Sequence, residues 1–349
     1  MISIEVDGKS AEVPERCSIK EALELLGFEI SMFPSPGALF MPCQTGGCWS
    51  CALDIDGQLK PACISKVHPG MKIKTDASSL TPCRVVGGFM GHKVGGVGTP
   101  WWIESAGGFI EVACFTAGCN FCCPQCQNWR FAYMNSGDPL TPGEAARLMT
   151  ATKQRYGVER MAISGGECTL NRPWLVQYLR LLKEQNPEAR LHVDTNGSIL
   201  TEDYLEDLIE AGMTDIGIDL KAIRTSTFQE ITGLVDEDLA LKYMDTAWQA
   251  ARHLHDTHPE VFLGIGIPYN SELISIDEIR AMGEKIAEID PWIQVSALDY
   301  RPEFRRPDLV KPNFWDMLQV HGILRDCGLE SVICQTKRGK IGPTGRLLM

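Results

Sequence analysis

Three cysteines in the run ACFTAGCNFCCPQCQNW lie close enough in sequence to share one metal centre. Cys119, Cys123 and Cys126 follow a Cys-x3-Cys-x2-Cys spacing, directly after residues that predict a strand. Three thiolates can hold three corners of a 4Fe–4S cube and leave the fourth iron open to a ligand. Two alternatives remain at this point: a zinc knuckle that takes Cys114 or Cys122 as its fourth ligand, and a set of buried thiols.

Four further cysteines lie nearer the amino terminus. Cys43, Cys48 and Cys51 have the Cys-x4-Cys-x2-Cys spacing of plant-type 2Fe–2S sites, and Cys63 follows after eleven residues. The spacing predicts a 2Fe–2S cluster. A zinc site, and a ferredoxin-like domain that keeps only a docking role, are the alternatives.

Composition favours metal ligands over disulfides for these thiols. The chain has 349 residues, of which 44% are apolar and 22% charged, the balance of a two-domain globular enzyme. No apolar run predicts a membrane span, and the start MISIEVDGKSAEVPE predicts a strand rather than a signal peptide. We therefore expect a cytoplasmic protein whose 14 cysteines stay reduced. The net charge of −12 argues against nucleic acid as the main partner.

Turn and capping signals predict a small β-rich domain over residues 1–83. Asp7-Gly8 predicts a hairpin turn, and Ser18 with Glu21 forms a capping box at the start of a short helix. Further strands are predicted at 51–57, 59–64 and 70–76. Strands around a single helix favour a β-grasp, ferredoxin-like arrangement. The glycine-rich residues 84–108 that follow predict an interdomain linker or a mobile lid.

From residue 109 onward, strand and helix patterns alternate. Strands are predicted at 109–115, 159–163, 189–194, 215–219, 260–267, 292–298 and 330–334, and helices at 142–156, 173–185, 201–211, 236–255, 276–288 and 312–327. This alternation predicts parallel β/α units, here an α/β partial (β/α)6 barrel over residues 109–335 with a tail at 336–349. The carboxyl ends of such strands are where ligands gather.

The motifs at those strand ends resemble the radical SAM (S-adenosylmethionine) superfamily. Its cysteine signature is similar to the loop that holds Cys119, and its glycine–glycine–glutamate motif is similar to Ser164-Gly165-Gly166-Glu167. Asp194-Thr195-Asn196-Gly197 ends the third strand and Asp219-Leu220-Lys221 the fourth. With the Cys-Gln-Asn-Trp after the cysteine loop, these elements resemble the glycyl-radical-enzyme activases of the superfamily. The first cysteine set resembles the 2Fe–2S domain of succinate dehydrogenase and fumarate reductase iron–sulfur subunits.

The resemblance implies cofactors and roles. Cys119, Cys123 and Cys126 would hold a 4Fe–4S cluster, and S-adenosylmethionine would be bound by Gly165, Gly166, Glu167, Asp194, Asn196, Asp219 and Lys221. One electron would cleave S-adenosylmethionine to methionine and a 5′-deoxyadenosyl radical, which removes a hydrogen atom from an unactivated C–H bond. The N-terminal cluster would relay that electron from an external one-electron donor. A simple turn at Gly197 and an ion pair between Asp219 and Lys221 are the plainer interpretations of two of these motifs.

The activase-like motifs predict a protein or peptide substrate. The chain also resembles methanogen radical SAM enzymes that modify methyl-coenzyme M reductase, so C-methylation of a glutamine in that protein is the leading prediction. Such methylation uses a methylcobalamin donor, which makes cobalamin a further expected cofactor. A glycyl-radical-enzyme activase, another C–H modification and a non-enzymatic electron-transfer protein are the alternatives.

Overall fold

The computed structural model describes residues 1–103, 108–134 and 136–348. Residues 104–107 of the predicted linker and residue 349 of the predicted tail lie outside the described residues. Two large sheets make up the fold, a five-stranded sheet near the amino terminus and a ten-stranded sheet over the later residues, and one further pair of strands forms a small sheet of its own.

The N-terminal sheet packs against one short helix. Its elements and a small separate strand pair are β1 (Ile2–Val6), β2 (Lys9–Val13), α1 (Ile19–Leu25), β3 (Ile30–Ser31), β4 (Leu39–Phe40), β5 (Ala52–Ile55), β6 (Gln58–Pro61) and β7 (Lys72–Lys74). The sheet order is β2-β1-β7-β5-β6, in which β1 and β7 are parallel and the other pairs antiparallel. The predicted capping box at Ser18 and Glu21 starts α1. This mixed sheet confirms the predicted small N-terminal domain.

The second sheet is a partial α/β barrel. Its elements are β8 (Val86–His92), β9 (Glu111–Thr116), α2 (Trp129–Ala132), α3 (Pro142–Tyr156), β10 (Arg160–Gly165), α4 (Arg172–Gln185), β11 (Arg190–Thr195), α5 (Glu202–Glu210), β12 (Asp215–Asp219), α6 (Thr225–Thr232), α7 (Glu237–Thr257), β13 (Phe262–Tyr269), α8 (Ile276–Ala287), β14 (Gln294–Asp299), α9 (Phe314–Asp326), β15 (Val332–Thr336), β16 (Gly339–Ile341) and β17 (Leu347–Leu348). Strands β9 to β15 are parallel and consecutive in the sheet. The predicted fold class, an α/β partial barrel, is confirmed. None of the described helices meets the length and apolarity that crossing a membrane requires.

The glycine-rich segment has a different structure from a plain linker. Residues 86–92 form β8, an antiparallel edge strand beside β9. Residues 96–101 then cross the inner face of the barrel, where Gln294 donates to the carbonyls of Val97 and Thr99 at 3.1 and 2.9 Å. The backbone amide of Gly98 donates to Asp194 at 3.2 Å. The segment therefore fills the barrel interior with polar contacts.

The C-terminal residues also extend the sheet. The hairpin of β16 and β17 continues the antiparallel edge beyond β15, within the region predicted as a tail. Two helices in the described chain, α2 and α6, have no counterpart among the predicted elements. Four residues are too few for a helical period in α2, and the threonines of α6 carry a weak helix propensity.

Candidate metal centres at the junction of the two domains

The first cysteine set lies between the two hydrophobic cores. Cys43 and Cys48 are buried within the core of the barrel, whereas Cys51 is buried in the core of the N-terminal domain and Cys63 packs against that core. The hydroxyl group of Ser50 holds the loop that carries three of these cysteines against the barrel. Ser50 donates to the carbonyl of Leu170 at 2.8 Å and also lies 3.3 Å from the Cys48 sulfur. The predicted ligands are therefore gathered at the domain junction.

The four thiols interact strongly with one another. Hydrogen bonds from Cys48 and Cys63 lower the pKa of Cys43 well below its usual range. Burial and the neighbouring Cys43 raise the pKa of Cys48, and contacts with Cys43 and Cys51 raise that of Cys63. Such a set cannot ionise fully without nearby positive charge, which the irons of a cluster supply. The donor set therefore fits a 2Fe–2S cluster.

The two cysteine loops approach each other closely at Gly47 and Gly118, where neither loop leaves room for a side chain. A Cβ on Gly47 would lie 2.5 Å from the carbonyl oxygen of Met134 and 2.9 Å from the amide nitrogen of Gly118. Gly118 has a φ of +82°. A Cβ on it would lie 2.7 Å from the Cys48 amide nitrogen and 3.2 Å from the Cys43 sulfur. Because Gly118 is bonded directly to Cys119, one peptide unit separates a ligand of the second set from the sulfur of Cys43.

The second set occupies the loop after β9, at the carboxyl end of the parallel strands. Cys119, Cys123 and Cys126 are all partly buried there. The amide of Phe121 donates to the Cys119 sulfur at 3.4 Å, and the side-chain amide of Asn196 lies 3.9 Å from the same sulfur. The predicted residue Asn196 is thus placed beside a predicted ligand.

Burial dominates the acidity of these three thiols. It raises the pKa of Cys119 well above the usual range, that of Cys123 to about 12, and that of Cys126 above its usual value. As in the first set, positive charge at the centre of the loop is needed to hold them as thiolates. The donor set therefore fits a 4Fe–4S cluster with three protein ligands.

The two spare cysteines of the zinc alternative have different surroundings from the three predicted ligands. Cys122 is exposed, and its backbone amide donates to Thr232 at 2.8 Å. The Cys114 sulfur lies 3.5 Å from the hydroxyl of Tyr178 on α4, on the helix-facing side of the sheet. The Cys114 sulfur is thus engaged with a helix residue, whereas Cys122, next to Cys123 in the loop, has an exposed side chain.

The Glu167 carboxylate accepts four hydrogen bonds from nitrogen and oxygen donors of its own chain. It accepts hydrogen bonds from the hydroxyls of Thr169 and Thr195, both at 2.6 Å. The backbone amides of Thr169 and Asn196 donate to it at 2.9 and 2.7 Å. The side chain is 1% exposed. The acid of the glycine–glycine–glutamate motif therefore connects the ends of β10 and β11 instead of pointing into open space.

Arg84, which no sequence motif indicates as a site residue, connects the glycine–glycine–glutamate loop to the second cysteine loop. Its side chain is 0% exposed. It donates to the carbonyls of Cys168 at 2.6 Å, Glu167 at 3.0 Å and Ala117 at 3.1 Å. A single guanidinium thus fixes the glycine–glycine–glutamate loop relative to the second cysteine loop.

Asp219 and Lys221 form an ion pair beside the second cysteine loop. The Lys221 ammonium lies 2.7 Å from Asp219 and 3.0 Å from the hydroxyl of Tyr300. Burial acts to lower the pKa of Lys221, but Asp219, Tyr300 and Cys123 raise it well above its usual range. The lysine is therefore a permanent buried cation. Tyr300 was not predicted as a site residue, although its place directly after β14 is where a barrel presents ligands.

Asp194 belongs to a buried charged network inside the barrel. It lies 2.8 Å from Nε2 of His192, whose Nδ1 lies 3.3 Å from Glu111. Burial acts to lower the pKa of His192, but Asp194 and Glu111 raise it to about 10. Burial acts to raise the pKa of Glu111, and hydrogen bonds from His192 and Thr99 lower it to about 2. Asp194 is thus held by protein groups on one side and is partly exposed to the barrel interior on the other.

An aromatic loop after β14 covers the second cysteine loop. Phe304 stacks on Trp129 at 5.2 Å between ring centroids, and Glu303 accepts a hydrogen bond from the Trp129 indole at 3.2 Å. The amide of Arg305 donates to the carbonyl of Pro124, within the cysteine loop, at 2.9 Å. Together these contacts shield the loop from solvent on this side.

Comparison with known proteins agrees with both halves of this junction. Residues 114–270 match the Radical SAM superfamily, and residues 1–78 match the 2Fe-2S iron-sulfur cluster binding domain. The FeFe-hydrogenase maturase HydG from Carboxydothermus hydrogenoformans superposes with a TM-score of 0.50 at 15% sequence identity, over 65% of this chain and 53% of that chain. That similarity concerns the fold alone.

Curated relatives are distant and match only in part. The GTP 3',8-cyclase of Saccharophagus degradans is 32% identical over 135 residues, which are 39% of this chain and 40% of that protein. The GTP 3',8-cyclase of Microcystis aeruginosa is 32% identical over 117 residues, 33% of this chain and 35% of that protein. The chain therefore spans well under half the length of these relatives. Residues 114–270 of the chain therefore belong to the Radical SAM superfamily, and residues 1–78 form a domain of the 2Fe–2S iron–sulfur type.

Proposed function

We propose that the chain cleaves S-adenosylmethionine reductively at its second cysteine site, with the electron supplied through the N-terminal domain, and modifies a C–H bond of a protein or peptide. The observation that carries the proposal is the close approach of Gly118 to Cys43, where an added Cβ would lie 3.2 Å from the sulfur, because Gly118 is bonded to Cys119. A domain used only for docking would have no need to bring its ligands within one peptide unit of the other site.

The chain's own residues would hold and orient the reactants. Bound at Cys119, Cys123 and Cys126, a 4Fe–4S cluster supplies an open iron and the electron that cleaves S-adenosylmethionine. Arg84 and Glu167 fix the loops on either side of that position, so the backbone carbonyls of the glycine–glycine–glutamate motif are preorganised. Lys221 places a buried positive charge where a carboxylate group of a ligand can approach.

The electron route can be tested in the full chain with Cys51→Ser and Cys63→Ser together. Both residues belong to the N-terminal side, so their loss leaves the barrel core intact. We expect the loss of about two irons per chain. Formation of 5′-deoxyadenosine should cease with a flavodoxin donor and persist with dithionite. Cys17→Ser, a thiol of the same domain outside the cluster, is the matched control. Equal loss of activity with both reductants would contradict the relay.

The finer prediction for the product is C-methylation of a glutamine in methyl-coenzyme M reductase, supported by the overall resemblance of the chain to methanogen radical SAM enzymes, whereas the strand-end motifs resemble the activases. Incubation of the reconstituted protein with S-adenosylmethionine, dithionite, methylcobalamin and a peptide containing that glutamine should replace one hydrogen of the peptide by a methyl group, a gain of about 14 Da, with release of 5′-deoxyadenosine. A glycyl radical detected by electron paramagnetic resonance on a partner protein would favour the activase function instead.

The partial match to GTP 3',8-cyclases favours GTP as a comparison substrate. The matched part is about two fifths of each chain, so a nucleotide substrate is a second candidate. Consumption of GTP together with formation of 5′-deoxyadenosine, in the absence of any peptide, would favour it over protein modification. No GTP consumption under conditions of active S-adenosylmethionine cleavage would exclude it.

A further inference from the structure

Two histidines and a glutamate converge on the outer surface of the barrel, remote from both cysteine sites. They are Glu206 of α5, His253 near the end of α7 and His258 directly after α7. One ligand atom from each lies within 4.8 Å of the others. Nε2 of His253 and Nε2 of His258 lie 3.3 and 2.8 Å from the same Glu206 oxygen.

These distances fit one small cation. Zinc–nitrogen and zinc–oxygen bonds of about 2.0–2.2 Å in a tetrahedral arrangement separate the ligand atoms by about 3.3–3.5 Å. The two histidine-to-glutamate distances lie close to that range, so small side-chain adjustments would admit the ion. The histidine side chains are 19% and 18% exposed and that of Glu206 is 45% exposed. A water molecule can therefore complete the coordination from the solvent side.

The outer nitrogens of both histidines face further carboxylates. Nδ1 of His258 lies 3.1 Å from Glu260, and Nδ1 of His253 lies 3.7 Å from Glu202. A carboxylate hydrogen-bonded to the second nitrogen fixes the ring orientation and tautomer of a metal-binding histidine and raises its basicity as a ligand, and Glu260 is placed to do so for His258. The arrangement is therefore more than a hydrogen-bonded pair, because each imidazole is oriented with the same nitrogen towards one common point.

We propose that Glu206, His253 and His258 form a binding site for a divalent transition metal of the zinc class. Two imidazoles and one carboxylate are donors that suit zinc, copper and nickel, whereas magnesium and calcium take oxygen ligands. The metal links α5 to the end of α7, just before β13, at the amino end of the parallel strands. Because the cysteine sites lie at the carboxyl end, the site stabilises the barrel and takes no part in the radical chemistry.

The test uses the full chain with its iron–sulfur clusters reconstituted under anaerobic conditions. Zinc chloride is titrated calorimetrically, and zinc and iron per chain are measured after gel filtration. We expect one zinc ion per chain with iron content unchanged, and a zinc-dependent rise in the thermal unfolding midpoint, as expected for a ligand that binds only the folded state. Glu260→Gln should weaken zinc binding by about tenfold.

Variants of the three proposed ligands, compared with a variant of a neighbouring histidine, distinguish this site from adventitious binding. His253→Asn, His258→Asn and Glu206→Gln should each abolish the stoichiometric zinc and the zinc-dependent stabilisation. His255→Asn is the matched control, because His255 lies on the same helix and faces Asp290 at 3.8 Å instead. Its zinc affinity should equal that of the unaltered chain. Unchanged zinc binding in the His253 and His258 variants, or an equal loss in the His255 variant, would overturn the proposal.

Discussion

The two cysteine sites differ in what surrounds their sulfurs. The first has four thiols that interact with one another and are divided between two cores, so that the protein provides all the ligands. The second has three thiols in one loop, beside the side chains of Asn196 and Lys221 from other strands. A saturated site suits electron transfer, since no iron is left open. A site with three ligands, next to hydrogen-bonding groups, suits the binding of a reactant.

The difference also concerns how each site is held. The first depends on the packing of two domains against each other, whereas the second depends on hydrogen bonds among the strand ends of one domain. Buried, fully satisfied polar groups position a reactive centre more precisely than hydrophobic packing does. Glu167 and Arg84 are such groups around the second site. We therefore expect the second site to be the more sensitive to single polar substitutions.

The largest expected effect is the loss of the second cluster, which should follow substitution of Cys123 but not of the adjacent Cys122. Cys123→Ala should remove about four irons per chain and abolish 5′-deoxyadenosine formation with every reductant, because the cluster loses one of its three protein ligands. The adjacent Cys122→Ala should retain iron and activity, since the Cys122 side chain is exposed. Iron analysis and product assay on both variants test this. Loss of iron in the Cys122 variant would place a fourth cysteine ligand in the loop.

The next effect concerns the support beneath the second site. Arg84→Met should cost at least about 3 kcal/mol of unfolding free energy, because three buried carbonyls lose their donor and each unsatisfied group costs about 1–3 kcal/mol. We also expect weaker S-adenosylmethionine binding with iron content retained, measured by calorimetry on the reconstituted protein. Lys20→Met is the control, because it removes only a surface ion pair with Glu24 and should change the free energy of unfolding little. Unchanged S-adenosylmethionine affinity would show that Arg84 serves stability alone.

The sequence predicted the ligands better than the groups that position them. Both cysteine sets follow from spacing, and the helix at 142–156 matches α3 because its capping box, proline and glycine all act locally. Arg84 had no such signal, because its partners are carbonyls 33 to 84 residues away. Strand β8 was hidden by its glycines, and it exists because β9 offers it an edge. The resemblance also assigns Glu167 to ligand binding, which stays a prediction; the fold adds that its carboxylate accepts hydrogen bonds from Thr169, Thr195 and Asn196.

A third prediction concerns the pH dependence of the free energy of unfolding, which the buried charges around His192 should produce. His192 has a folded-state pKa of about 10, above its ordinary value of 6.5. Its contribution to stability is therefore fully present below pH 6.5 and is lost as the pH rises through about 10. Glu111, Asp194, Arg160 and Lys340 are the charged groups around it.

His192→Gln should cost about 3–5 kcal/mol near neutral pH, because the buried Glu111 and the half-buried Asp194 lose the imidazolium that lies between them. The difference in unfolding free energy between the two proteins should shrink as the pH approaches 10. Denaturant unfolding at several pH values measures this difference, and the N-terminal cluster spectrum serves as a reference for the other domain. A difference that stays constant with pH would contradict a charged His192 in the folded protein.

The smallest effect addresses the contact between the two sites. Gly47→Ala places a methyl group 2.5 Å from the Met134 carbonyl and 2.8 Å from the Ala117 Cβ, so the loops must move apart. Overpacking of this kind costs about 1–3 kcal/mol. Gly322→Ala is the control, because a Cβ at that helical position meets nothing within 4 Å. Iron content should be retained in both variants.

The product assay then distinguishes the role of the contact. If electrons pass from the first site to the second, Gly47→Ala should slow 5′-deoxyadenosine formation with flavodoxin and leave the dithionite rate unchanged. A site that merely docks a partner predicts no such split, since the displacement alters neither cluster's ligands. A slower rate with both reductants would mean that the N-terminal loop positions the second site directly, which the hydrogen bond from Ser50 to Leu170 also favours. The ratio of the two rates therefore separates electron supply from mechanical support at this junction.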